Sequence, residues 1–320
     1  MSRPRIVLTD SVFPSLAPAE AVLARIDADL VVAPDAEAAT IGRLAADADA
    51  VMVTFAKLDA DLIARLTRCR VIGRFGIGVD NIDLEAASRA GIQVVFCPDY
   101  CLDEVSDHAL ALLLTLARKT ALADRLVQAG DWTLKPLAPI WRLRGRVLGL
   151  VGFGKIPRTL VPKAQALGLE VIASDPFAPD ALFQEVGVRR VTFEALLGEA
   201  DFISIHAPLT EKTHHLFNAE AFRRMKREAI LVNTARGPLV DEAALAAALD
   251  AGEIAAAGLD VVETEPLPAD SPLRGRDNVL ITPHAAFYSE DALVELQTGV
   301  AEDVVRVLGG EAPLNPANRL

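Results

Sequence analysis

Three polar residues stand directly after apolar, β-rich runs: Arg236 in VNTARGPLVDE, Glu265 in GLDVVETEPLP and His284 in ITPHAAFYSE. Each is therefore expected at the carboxyl end of a strand, the edge at which open α/β sheets bind their ligands. Together their chemistry suits hydride transfer at the carbon beside a carboxylate. One group must hold the carboxylate, and another must take the hydroxyl proton as hydride leaves. The planar fork of Arg236 can hold the acid and polarise the reacting oxygen. His284 can give or take a proton near neutral pH. A neighbouring Glu265 would favour its imidazolium and fix its tautomer. Taken singly, each has a plainer reading: a structural hydrogen-bonder, a loop charge before a proline, a surface ion pair. Only in conjunction with a hydride carrier do they acquire a joint role.

Such a carrier is signalled by VLGLVGFGKIPRTL, residues 147–160. An apolar run ends in Gly152-Phe153-Gly154. Gly152 allows a tight turn out of a strand, and Gly154 allows the backbone to approach a pyrophosphate. The amides of Lys155 and Ile156 would face the phosphates from a helix N-terminus. The next strand, LEVIASD, ends in Asp175, whose carboxylate suits the adenosine ribose hydroxyls and would repel a 2′-phosphate, favouring NAD over NADP. The third glycine of this fingerprint is replaced by Pro157. In a first helical turn a proline loses no ladder hydrogen bond, and the third glycine serves packing, so the phosphate cradle is expected to survive.

The elements that would carry these residues alternate. In the first hundred residues, RIVLTD, LVVA, AVMVTF, CRVIGRF and IQVVFC read as strands, separated by Ala-rich helical segments. A long apolar helix is expected over residues 106–117, apolar nearly all round and hence buried, between domains or subunits. Residues 130–146 read as a loop. The alternation then restarts with VLGLVGF, LEVIASD, RRVTF, DFISIHAP, AILVNTA, AGLDVV and NVLITPH, and the sequence closes with an amphipathic helix over 289–308 and a short Gly/Pro/Asn tail. Strand and helix at this spacing mean βαβ units and two parallel sheets.

Composition bounds the rest. The 320 residues, 52% hydrophobic, can build one large or two ordinary cores. A net charge of −12 argues against a nucleic-acid surface. Three cysteines, Cys69, Cys97 and Cys101, form neither a disulfide framework nor a paired metal motif, so no metal is expected. The N-terminal apolar run is too short for a signal peptide, and no stretch approaches the roughly 18 unbroken apolar residues of a membrane helix. A reduced, cytoplasmic setting is the expectation.

RFGIGVDNIDLEAA, GLVGFGKI, HAPLTEKTHHLFN, LVNTARGPLVDEAAL, GLDVVETEP and TPHAAFYSE together resemble the D-isomer-specific 2-hydroxyacid dehydrogenase family over essentially the whole sequence. The last motif, with ARGPLVDEAALAAAL, is most similar to the branch containing the C-terminal-binding proteins. The resemblance implies an α/β architecture in which a Rossmann-type NAD-binding domain, residues 99–289, is inserted into a flavodoxin-like substrate domain, residues 1–98 and 290–320, with the active site in the cleft between them. It implies that Arg236, Glu265 and His284 are the catalytic set, and that His284 also borders the cofactor. It implies that Asp260 holds the nicotinamide carboxamide, that Thr234 and Ala235 touch the cofactor, and that the loop containing Ala207, Pro208 and Thr213 flanks the adenosine half. It implies that the backbone of Gly76, Ile77 and Gly78 grips the substrate carboxylate. A homodimer through the cofactor domain is also implied. Phe55 stands about where phosphoglycerate-specific relatives carry a basic residue, and no regulatory domain follows the last helix. An unphosphorylated, partly apolar 2-keto or 2-hydroxy acid is therefore expected, with Phe55 and Phe287 as side-chain contacts. The alternatives are phosphoglycerate, glycerate or glyoxylate chemistry on the same fold, or an NAD-sensing, partner-binding protein like the animal corepressors.

Overall fold

The computed structural model describes residues 3–320. They form two compact units, one made of the chain up to Tyr100 together with Ser289–Leu320, the other of Cys101–Tyr288.

In the first unit, β1 (Arg5–Leu8), β2 (Asp29–Val32), β3 (Ala50–Val53), β4 (Val71–Arg74) and β5 (Gln93–Val95) make an all-parallel sheet in the order β2-β1-β3-β4-β5. The central strands are apolar at nearly every position, because helices cover both faces and alternation is not needed. One of those helices is Glu290–Leu308, which returns from the far end of the sequence. Ser289 caps it, its hydroxyl accepting from the Ala292 amide at 2.9 Å. Its stripe of Leu293, Leu296, Val300 and Val304 is buried. The helix sits directly on β4, where a Cβ at Gly73 would lie 2.8 Å from Val300 Cγ1. The tail beyond it is pinned rather than loose. Asn318 accepts from the Val94 amide at 2.7 Å and donates to the Ile92 carbonyl at 2.9 Å, so it closes the open edge of β5.

In the second unit, β6 (Val147–Val151), β7 (Glu170–Ser174), β8 (Arg189–Arg190), β9 (Phe202–Ile205), β10 (Ile230–Asn233), β11 (Ala256–Leu259) and β12 (Val279–Ile281) form a seven-stranded parallel sheet, β12-β11-β10-β9-β6-β7-β8. The strand order reverses between β6 and β9, the switch point at which doubly wound sheets open a ligand crevice. Two apolar cores flank the sheet, one including Leu196, Phe217, Phe222 and Leu245, the other including Leu112, Leu113, Leu160 and Phe183.

Three elements differ from the sequence reading. The long helix spans Leu102–Arg118 and begins four residues early, with Asp103 and Glu104 in its first turn, where acidic side chains complement the positive end of the helix dipole. It is not buried all round: Val105, Ala109, Leu112 and Leu113 are covered, whereas Leu110, Leu114 and Leu116 are only partly so. A separate helix, Thr120–Gln128, precedes the expected loop, its start marked by Lys119 in a left-handed conformation at φ 53°. RRVTF contributes only two strand residues, as an edge strand exposed at both.

Candidate active site in the second unit

The glycine turn lies at the switch point. Gly152 has φ +90°, a conformation that favours glycine, and a Cβ there would stand 2.8 Å from the backbone of His206 and Ala207 after β9. At Gly154, by contrast, a Cβ would meet nothing within 4 Å. That glycine faces open space at the N-terminus of the helix Lys155–Ala166, with Gly154 itself as N-cap. The first ladder hydrogen bond of this helix runs from the Arg158 amide to the Gly154 carbonyl. Pro157 is therefore in the turn whose amides have no intrahelical acceptor, and it is buried. The interior proline that does forfeit a ladder bond is Pro162, exposed on the outer face.

Asp175 ends β7 beside this turn. Its Oδ2 accepts from the Phe153 amide at 2.8 Å, and its Oδ1 accepts from Phe177 and Ala178 at 2.8 and 3.1 Å. The carboxylate therefore braces the glycine turn as well as standing where the sequence reading puts a ribose acceptor. Opposite, the loop containing Ala207, Pro208 and Thr213 closes on itself, with Thr213 Oγ1 donating to the Pro208 carbonyl at 2.7 Å. His206 leads into that loop, its Nε2 2.9 Å from Ser204 Oγ, and burial pushes its imidazole down to about 4.

Arg236, Glu265 and His284 all lie beyond the carboxyl ends of neighbouring strands β10, β11 and β12. After β10, the fully buried Asn233 folds the next three residues into a hook: its Oδ1 accepts from Ala235, and its Nδ2 donates to the Arg236 carbonyl at 2.8 Å. Arg236 donates from Nη1 to the Ala235 carbonyl. The hook fits only because Gly237 lacks a side chain, since a Cβ there would fall 1.9 Å from the Val262 carbonyl oxygen. The Thr234 hydroxyl is buried and has no hydrogen-bond partner among the described residues.

The sequence reading placed Glu265 next to His284, and the structure brings them to 2.8 Å, Oε2 to Nδ1. Burial raises the Glu265 carboxyl, but this is outweighed by the hydrogen bond and charge of His284, the Val262 amide and the charge of Arg236, which together hold it below the usual carboxylate range. The three side chains are thus electrostatically linked. His284 has φ +53°, uncommon for a non-glycine residue, and its amide donates to the Asp260 carbonyl at 2.8 Å. Phe287 packs edge-on to its ring, centroids 6.3 Å apart. Asp260, 2% exposed, accepts on Oδ1 from the Thr282 hydroxyl and the Ala285 amide and on Oδ2 from the Ala286 amide, leaving one acceptor position on Oδ2.

The remaining named residues belong to the first unit. Gly76, at φ +150°, Ile77 and Gly78 follow β4. The guanidinium of the buried Arg74 lies beneath Gly76 and donates to the Phe75 carbonyl at 2.6 Å. Phe55 follows β3 on a loop whose amides at 54, 55 and 56 all donate to the Asp10 carboxylate. Arg74, Asp10, Asn233 and Thr282 were not singled out in the sequence. Asn233 alone carried a local cue, a polar residue closing an apolar strand directly before the Arg236 motif.

Residues 110–286 match the family model for the D-isomer specific 2-hydroxyacid dehydrogenase NAD binding domain. The chain is 40% identical over 265 residues to the glyoxylate reductase of Korarchaeum cryptofilum, covering 82% of this chain and 80% of that one. It is 41% identical over 262 residues to the D-3-phosphoglycerate dehydrogenase of Archaeoglobus fulgidus, of which it spans about half, 50%. Its fold superposes with a TM-score of 0.89 on the NADPH-dependent glyoxylate/hydroxypyruvate reductase of Sinorhizobium meliloti, determined with NADP and malonate, at 29% identity and covering 99% of this chain and 97% of that one. The chain belongs to the D-isomer-specific 2-hydroxyacid dehydrogenase family, and is an oxidoreductase with an NAD-binding Rossmann domain. These relatives are reductases and dehydrogenases, and the finer likeness to the C-terminal-binding proteins is not supported by them.

His206 yields a pH prediction. Its folded value of about 4 lies below the ordinary 6.5. The unfolded chain therefore binds more protons between these values, and stability falls as pH drops from 6.5 towards 4. In His206→Gln this part of the acid destabilisation is expected to vanish. Thermal midpoints of both proteins from pH 7 to 4.5 should converge on acidification; parallel curves would refute the assignment.

Proposed function

We propose that this protein transfers hydride between NAD and C2 of a small, unphosphorylated 2-keto or 2-hydroxy acid. The carrying observation is the Glu265–His284 pair at 2.8 Å, with Arg236 close enough to depress Glu265 electrostatically. In reduction, His284 would donate its proton to the carbonyl oxygen as hydride arrives, while Glu265 holds the imidazolium and its tautomer. Arg236 would grip the carboxylate and polarise the carbonyl. In oxidation the same imidazole takes the hydroxyl proton. Bound NAD supplies the hydride-accepting ring.

The residues present suit that cofactor. Open space before Gly154 leaves room for a pyrophosphate, which Phe153, Lys155 and Ile156 would line. The unpaired Thr234 hydroxyl is a group that a polar cofactor atom would satisfy, with Ala235 beside it. The free acceptor position on Asp260 suits a carboxamide N–H, and Ala207, Pro208 and Thr213 would flank the adenosine half. In the first unit, the amides of Gly76, Ile77 and Gly78 would hold a carboxylate. In the second unit Phe287, edge-on to the His284 ring, favours an apolar substituent over a phosphate, and in the first unit Phe55, 41% exposed, offers an apolar rather than a basic side chain.

A homodimer through the cofactor unit is part of this reading. Trp132, Leu134 and Trp141 are 86, 82 and 50% exposed within residues 130–146, apolar side chains that a second protomer would cover. A reduced cytoplasmic setting suits the three free cysteines, two of which, Cys69 and Cys97, burial pushes up to about 12 and 11.

Sedimentation equilibrium is expected to give twice the protomer mass, and a shift to protomer in Trp132→Asp; a monomeric unmodified protein would refute the dimer. Asp175 should impose NAD preference. Because it also braces the Phe153 amide, Asp175→Ala is expected to weaken NADH binding while narrowing the gap between NADH and NADPH in kcat/KM. Equal kcat/KM for both cofactors in the unmodified protein would refute the preference. For turnover, NADH consumption against glyoxylate, pyruvate, hydroxypyruvate and phenylpyruvate is the direct test. His284→Ala should cut kcat by about 10²- to 10⁴-fold, the usual worth of a positioned acid–base group, with NADH still bound. Glu265→Gln removes the carboxylate that orients the His284 ring at 2.8 Å, so kcat should fall while NADH still binds. Silence across the panel with NADH bound, or near-normal turnover in His284→Ala, would overturn the reading.

A further inference from the structure

A continuous polar chain joins the helix Leu102–Arg118 to the loop that carries His284. His108 Nε2 stands 2.9 Å from Thr282 Oγ1 and 3.4 Å from Asp260 Oδ1. Thr282 Oγ1 donates to Asp260 Oδ1 at 2.6 Å. Asp260 in turn holds the loop at three points: its carboxylate accepts the amides of Ala285 and Ala286 at 2.9 and 2.8 Å, and its carbonyl accepts that of His284 at 2.8 Å. The direction of the chain follows from proton counting. A threonine hydroxyl has one proton. Thr282 gives it to Asp260, so towards His108 its oxygen can only accept. His108 must therefore carry hydrogen on Nε2.

The approach is built into the packing. A Cβ at Gly258 in β11 would lie 3.1 Å from Leu112 Cβ and 3.2 Å from Leu116 Cδ1. Without that side chain the helix settles close on the strand. His108, one turn before Leu112, then reaches the residues that follow the ends of β11 and β12.

We propose that His108 is a positioning residue for the reaction, orienting Thr282 and Asp260 so that their clasp keeps His284 in its left-handed backbone conformation with its ring on Glu265. The conformation of His284 is costly for a non-glycine residue and persists only where its surroundings over-determine it. The Asp260 side chain is 1% exposed, so every donor lost leaves a buried charge under-satisfied, and the carboxylate would reorient or draw in water. His108 touches neither substrate nor the reacting atoms in this scheme; it acts through Thr282 and Asp260. The proposal rests on the reading of His284 as the proton donor.

The test uses the full chain with NADH and glyoxylate. His108→Ala should lower kcat about tenfold, the worth of one well-placed hydrogen bond at a buried charge, with NADH still bound. His108→Gln, whose amide can donate at similar reach, should restore most of the rate. Thr282→Val should match His108→Ala, and the double variant should be no slower than the worse single one, because both cut the same chain. A normal kcat in His108→Ala, an equal loss with Gln and Ala, or losses that multiply would overturn the proposal. Nitrogen-15 ring spectra provide a readout independent of turnover: His108 should carry hydrogen on Nε2, and Thr282→Val should shift the His284 ring signals. A bare Nε2 on His108, or unmoved His284 signals, would overturn it. If the unmodified protein reduces no 2-keto acid, the proposed reaction fails, and the spectra still decide whether the clasp exists.

Discussion

A buried carboxylate accepting the backbone amides of a neighbouring loop is the interaction on which the candidate site depends. Asp260 is its clearest instance. The chain leaves β12 and must turn so that His284 meets Glu265. That turn puts the amides of 284, 285 and 286 where no strand or helix accepts them, and all three donate to Asp260. Buried amides without acceptors would cost more than the turn could recover from packing. The position of the imidazole is thus decided by an aspartate at the end of a different strand.

The same device recurs at three other places in the chain. Asp10, after β1, accepts three consecutive amides of the Phe55 loop after β3. Asp175, after β7, accepts Phe153 after β6 and two amides of its own loop. Asp303, fully buried within the helix Glu290–Leu308, accepts Leu314 and Asn315 and draws the tail back to the first unit. An ionised acceptor forms shorter and stronger hydrogen bonds than a neutral one. It can also serve several donors at once, which suits irregular backbone that secondary structure cannot satisfy. Part of the acidic excess of this chain is therefore internal scaffolding.

Local pattern was a good guide to strands and to the polar residues that end them. β-branched runs bounded by glycine, proline and aspartate mark the sheet because both of its faces are covered and the strands need no alternation. The glycine turn was legible for a similar reason: Gly152 and Gly154 answer a backbone requirement, which is local. The helix ends were less legible. Leu102–Arg118 starts in a polar segment, Leu-Asp-Glu, whose acidic first turn is favoured by the helix dipole and carries no apolar signal. The two residues of β8 are strand only because β7 lies beside them. Arg74 gave no sign of lying beneath Gly76, since nothing in RFG states which way a guanidinium folds.

The sequence by itself determined the alternating α/β order, the glycine turn and the placing of Arg236, Glu265 and His284 after strands, because each follows from hydrophobic period or backbone freedom over a few neighbouring residues. The closing helix over 289–308 was equally plain as an amphipathic pattern. Only the tertiary structure decided that this helix lies on β4, that Asn233 hooks Arg236, and that His108 reaches Asp260 through Thr282. The last of these contacts joins residues 174 positions apart. All three depend on how closely elements approach, and that distance is set by the absence of a side chain at Gly73, Gly237 and Gly258. A glycine in a strand reads alike whether it admits a helix, a backbone or nothing, and only the packed neighbour distinguishes them.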